Sequence, residues 1–177
     1  MRFSPLPALV ALLATCGCDN IEKVDQFSLG LTTGVSLAEA TPQDPTITTF
    51  PDLPGLTTFD LSEHEGFVRR GYRAEDVDFV ALESATVTVT APAGQDLGFL
   101  GELRLYVEAP EQPRRLMARA IEPTGRSVEL ELTEDDLKAW LVGTPGHITA
   151  EGVRSQRPEQ RTSLEVRVQF EVSVKVL

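Results

Sequence analysis

Leu164 to Val176 constrains the fold more than any other stretch of the chain. Leu164, Val166, Val168, Phe170, Val172, Val174 and Val176 alternate without a break with Glu165, Arg167, Gln169, Glu171, Ser173 and Lys175. Successive side chains of a strand point to opposite faces, so this run has one apolar face and one polar face. A helix would scatter the same residues around its circumference. The run therefore belongs to a sheet buried on one side and wet on the other, the habit of antiparallel sheets.

The same period recurs along the chain. Phe27, Leu29 and Leu31 alternate with Ser28 and Gly30, a half-buried strand running toward Leu37. Thr86, Thr88 and Thr90 alternate with Val87, Val89 and Ala91, so 79–91 reads as a strand. Leu103, Leu105 and Val107 mark another, and further strands are expected over 57–61, 116–121, 128–132 and 148–153. Turn residues separate them at Ala91-Pro92-Ala93-Gly94, at 109–113 and at Pro123-Thr124-Gly125. Pro42, Pro45, Pro51 and Pro54 make 41–54 a loop or an edge segment, since proline has no N–H for a ladder.

Two short helices interrupt the strands. Ser62-x-x-Glu65 has the form of a capping box and predicts a helix over 63–70 that ends at Gly71. Thr133 followed by Glu134, Asp135 and Asp136 predicts a second. Leu137, Trp140 and Leu141 would share its buried face, with Trp140 as a lid on the core. About eight strands, short turns and two helices predict a mostly β fold. The expected form is one immunoglobulin-like antiparallel β-sandwich with Greek-key connections, spanning 26–177. A small barrel is the alternative.

The N-terminus carries a different message. Arg2 precedes an apolar run from Leu6 to Thr15, then Cys16-Gly17-Cys18. The run is about ten residues, whereas a bilayer-spanning helix needs about 20. The segment resembles bacterial lipoprotein signals, in which a small residue precedes a cysteine that is acylated and becomes the new N-terminus. The resemblance covers residues 1–18. It implies a signal peptide over 1–17 and lipidation at Cys18, with Cys16 as the alternative register. It also implies a Gram-negative cell envelope and a membrane anchor facing the periplasm or the cell surface. Residues 18–25 are then a polar, acidic tether, repelled by anionic lipid.

Charge and cysteine content narrow the function. Arg2 is the only charged residue before Cys18, so the remainder sets 15 basic against 27 acidic residues. That balance argues against a nucleic-acid partner. Both cysteines lie at the signal, so the domain has no disulfide and no thiolate metal site. Its stability rests on burial, which about 155 residues can supply.

Candidate chemistry is sparse. Asp60-x-Ser62-x-His64 holds the residue types of a hydrolase triad, but such groups converge from separate elements rather than from adjacent positions. His147 follows Pro145-Gly146 and reads as a turn residue. Asp76 with Asp78, and Glu134 to Asp136, lack the spacing of a calcium loop. No metal site and no cofactor are expected. Arg154, Arg157 and Arg161 fall in one expected loop and form the candidate binding site, able to grip a phosphate, a sulfate or an acidic sugar. Arg69, Arg70 and Arg73 form a second basic cluster. The expected role is non-enzymatic: contact with a protein or a surface polysaccharide through end loops or an open sheet edge. The alternative is a module for a small hydrophobic or anionic ligand.

Overall fold

The computed structural model describes residues 23–176. The signal, Cys16, Cys18 and most of the tether lie outside those residues. The tether's end does not: β1 (Lys23–Leu37) begins three residues before the domain start expected at 26. The other strands are β2 (Thr46–Thr49), β3 (Val77–Ala91), β4 (Glu102–Ala109), β5 (Gln112–Ile121), β6 (Ser127–Glu129), β7 (Glu131–Leu132), β8 (His147–Gln156) and β9 (Thr162–Val176). Two helices of a single turn, α1 (Glu65–Val68) and α2 (Lys138–Leu141), lie in the connections.

The strands form two antiparallel sheets, in the orders β1-β9-β3-β6 and β2-β8-β4-β5-β7. The sandwich is therefore the architecture its alternating strands call for. Its pairings are nested: β1 with β9, β2 with β8, β3 with β6, β4 with β5. The chain is one long hairpin rolled up, the jelly-roll form of the sandwich, with β7 added at one edge.

The strongest alternation makes the central strand. β9 pairs with β1 on one side and β3 on the other. Its Val166, Val168, Phe170, Val172 and Val174 are all buried. They meet Leu103, Leu105, Met117 and Ile148 of the second sheet in one continuous core. Phe59 stacks on Phe170 at 6.2 Å between centroids.

Several local expectations change. The expected strand 128–132 is split: β6 joins the first sheet, β7 the second, and buried Leu130 donates its N–H to Ala85 O as the chain crosses over. The expected strand 57–61 is reduced to a single bridge between Phe59 and Gly146. The first helix is shorter than 63–70 and is capped differently. His64 is its N-cap, with Nδ1 accepting from Gly66 N–H at 3.1 Å, while Asp60 caps a 3-10 turn over Leu61–Glu63.

The second helix starts late. Thr133 Oγ1 donates to the carbonyls of Leu116 and Met117, so it ties the chain to β5 instead of capping. Asp136 accepts from Val80 N–H and Lys138 N–H, and helix begins only at Lys138. Leu137, Trp140 and Leu141 are buried as their spacing requires, and Trp140 Nε1 donates to Pro113 O.

Candidate functional site

Four connections converge at the end of the sandwich where β1 finishes: 38–45, 92–101, 122–126 and 157–161. Backbone bonds knit them together. Ala40 N–H reaches Pro158 O, Arg157 N–H reaches Pro45 O, Gln156 N–H reaches Phe99 O and Leu97 N–H reaches Gly125 O, all at 2.8–2.9 Å. The Arg126 guanidinium donates to the carbonyls of Val89, Pro92, Ala93 and Gln95 at 2.6–3.2 Å, fixing the longest loop to β3.

Gly101 is the crossing point of this end. A Cβ there would sit 2.6 Å from Arg154 O and 2.8 Å from Val153 O, so only glycine lets β4 pass β8 so closely. Gly101 N–H donates to Ser155 Oγ, and Gly101 O accepts from Glu122 N–H. The chains on both sides bend around the crossing. Arg154 has φ 53 and Glu122 has φ 46, the left-handed region that non-glycine residues avoid. Backbone strain of this kind collects at working sites.

Both bent residues line a groove of about 420 Å³, together with Phe99, Gly101, Thr124 and Gln156. A second hollow of about 410 Å³ shares Gly101, Glu122 and Arg154 and extends to Arg104. A third, of about 440 Å³, shares Phe99 and Gln156 and reaches Arg157 and Glu159. Three adjoining hollows thus share walls at this end. Arg154 is exposed and forms no ion pair or hydrogen bond among the described residues. Beside the groove, Arg104 donates to both oxygens of Glu102 at 2.7 and 2.9 Å. That bond holds the Glu102 carboxyl below the ordinary carboxylate range, with Arg119 and Arg154 adding to the effect. Arg104 is pushed upward by the same bond.

The three arginines expected in one loop are separated. β8 runs on to Gln156 because Ser155 and Gln156 pair with Ile47 and Thr46 of β2, so Arg154 belongs to a strand. Arg157 is a poor anion grip: it pairs with Asp44 at 2.5 Å, and its Nε is buried without a partner among the described residues. Arg161 is exposed and lines none of the three hollows. Of the trio, Arg154 alone keeps an open guanidinium in a groove. Glu122, Gly101 and Arg126 were not anticipated. Glu122 directly precedes the turn expected from Pro123, but nothing in its residue type announces a left-handed backbone.

The remaining candidates do not converge on a site. Ser62 Oγ donates to Asp60 Oδ1 at 2.6 Å, whereas His64 is engaged as a helix cap, so the three do not form a relay. His147 opens β8 opposite Glu108, and its Nε2 has no hydrogen-bond partner among the described residues. Arg69 pairs with Glu65, Arg73 lies 3.6 Å from Glu75, and Arg70 covers the Phe27 ring at 4.3 Å. Among the described residues no three His, Cys, Asp or Glu side chains gather as a metal site. None of their helices is long and apolar enough to cross a membrane.

No protein-family model and no curated protein matches the chain. Among solved structures it is similar to the decameric BFDV capsid protein, with TM-score 0.46 and 9% identity over 87% of this chain and 100% of that one. The 60-mer BFDV capsid protein gives TM-score 0.42 and 8% identity over 87% of this chain and 94% of that one. Triatoma Virus gives TM-score 0.40 and 11% identity over 99% of this chain and 76% of that one.

Proposed function

We propose that this chain is a non-enzymatic protein of the bacterial cell envelope, held in a membrane by lipid at Cys18, or at Cys16, and that its sandwich contacts a protein or a surface polymer through the groove at Arg154. One observation carries the reading: the start of β1 and the four converging loops lie at opposite ends of the sandwich. β1 begins at Lys23, five residues after Cys18, a stretch that reaches about 18 Å at most. The 15 residues of β1 then span about 45 Å. An anchored domain would therefore stand with β1 rising from the bilayer and the Arg154 groove held outward. Its acidic surface, with Arg154 open in the groove, suits a partner that brings a carboxylate, phosphate or sulfate.

Two measurements test the reading. Intact mass of the chain extracted from its own membranes should match an acylated chain starting at Cys18 or Cys16; an unmodified chain starting at Met1 contradicts the anchor. Arg154→Glu should weaken binding to isolated envelope polymer or protein while leaving the thermal midpoint in place. Unchanged binding contradicts the site.

A second reading is favoured by the shape of the groove: about 420 Å³ with an unpaired guanidinium suits a small anionic ligand. Citrate or phosphate would then raise the melting temperature of the wild type and leave Arg154→Ala unmoved, since a ligand that binds only the native state stabilises it by mass action.

A further inference from the structure

One sheet edge is unlike the other three. β2, β7 and β6 end their sheets with 4, 2 and 3 residues. β1 ends its sheet with 15, paired to β9 from Lys23↔Val176 to Leu37↔Thr162 without a bulge, and among the described residues no strand lies on its free side. Long edges are ordinarily blunted by charge, proline or a bulge, because their unpaired N–H and C=O groups template pairing with another chain. From Gln26 to Ala38 the edge has no charged residue and no proline. Its inner side is already closed by this chain: Phe27, Leu29, Val35 and Leu37 are buried, and Thr33 Oγ1 donates to Pro54 O at 2.6 Å. What stays open is the backbone rim.

The outward residues of β1 are Ser28, Gly30, Thr32, Gly34 and Ser36, which read the same in both directions about Thr32. The two glycines have no evident internal purpose. A Cβ at Gly30 would meet nothing within 4 Å, and one at Gly34 would meet only Leu164 O at 3.8 Å. Neither has positive φ. Glycine weakens a strand unless something passes close to it.

We propose that β1 pairs antiparallel with β1 of a second copy across a two-fold axis at Thr32. Ser28 then faces Ser36, Gly30 faces Gly34, and Thr32 faces its own counterpart. Opposed residues of an antiparallel pair share a face, so the apolar set of each copy stays on the inner side. Two four-stranded sheets become one continuous sheet, and the interface is self-complementary, as a two-fold contact requires. The pairing does not depend on the lipid anchor, but it constrains it. The two Lys23 residues would lie about 60 Å apart at opposite ends, so two copies standing upright in one bilayer could not make the contact, whereas copies on facing surfaces, in solution or lying flat could.

Single cysteines read this register in the full chain, in detergent, with Cys16 and Cys18 present throughout as a common background. Thr32→Cys brings two cysteines opposite each other, with Cα atoms about 5 Å apart, within disulfide reach. Ser28→Cys places its two copies about 26 Å apart, out of reach. All three positions are exposed, so the core is untouched. Mild oxidation should yield a covalent dimer from Thr32→Cys and from the Ser28→Cys, Ser36→Cys double variant, and no dimer above the wild-type level from Ser28→Cys alone. Failure of either expected cross-link, or equal linking by Ser28→Cys alone, overturns the proposal.

Discussion

The two sheets share one core and both carry ion pairs outside it, Arg167 with Glu165 and Lys175 with Asp78 on the first, but they differ in how they end. On the second sheet the charges answer one another. Arg104 holds Glu102, Arg119 holds Glu131, and Arg114 lies over the Tyr106 ring at 3.7 Å while bonding Glu108 at 2.9 Å and Glu151 at 2.7 Å. On the first sheet β1 and β3 present mainly hydroxyls and glycines. Thr88 meets Ser127 at 2.8 Å, and Ser28 donates to Glu83, which also accepts from Gln169. The second sheet ends in two short edges, the first in one short edge, β6, and in the long bare edge of β1. A face whose charges are already paired has little to offer a partner, whereas an uncharged rim of free backbone groups does.

The largest effect should come from breaking what the sheets share. Phe170 is fully buried and stacked on Phe59. Phe170→Ala should lower unfolding stability by about 3–5 kcal/mol, measured by denaturant titration. A loss below about 1 kcal/mol would mean that the inner faces are not packed as described.

A smaller effect is read out by pH. Glu102 is held low first by its bond from Arg104, and Asp135 first by its bond from Arg115. A carboxylate whose folded pKa is depressed stabilises the fold above its unfolded value, about 4, and that contribution fades as pH falls through the lower folded value. Stability should therefore drop below pH about 4, and the Glu102→Gln, Asp135→Asn pair should flatten that drop. An unchanged acid profile in the double variant would contradict the Glu102–Arg104 and Asp135–Arg115 pairs.

The smallest effect sits on the bare edge. Gly30→Ala should raise the stability of the dilute monomer by about 0.5–1 kcal/mol, because the site is open and alanine has less freedom to lose. A loss instead would show that the fold itself needs this glycine.

What the sequence disclosed follows from how local each signal is. β9 was legible because seven alternating apolar residues need no distant information, and a central strand must have that pattern. The buried face of Leu137, Trp140 and Leu141 was legible for the same reason. The helix start at Thr133 misled because a threonine hydroxyl that can cap a helix can equally bond carbonyls of β5, and only the tertiary fold decides. The split at Leu130 was hidden because a strand that changes sheets keeps its alternation. At the candidate site, Arg154 was legible as a charged residue near a turn, but its separation from Arg157 and Arg161 depends on pairing with β2, about 110 positions earlier in the chain. The bend at Glu122 depends on the crossing at Gly101 and leaves no mark in composition.

The contrast between a closed sheet and an open edge is tested most directly by residue-resolved amide exchange on the full chain at high dilution. Along β1, alternate amides should exchange quickly, because every second N–H points away from β9, while the amides of β9 should be protected throughout. Uniform protection along both strands would show that the β1 edge is covered, and would contradict the account.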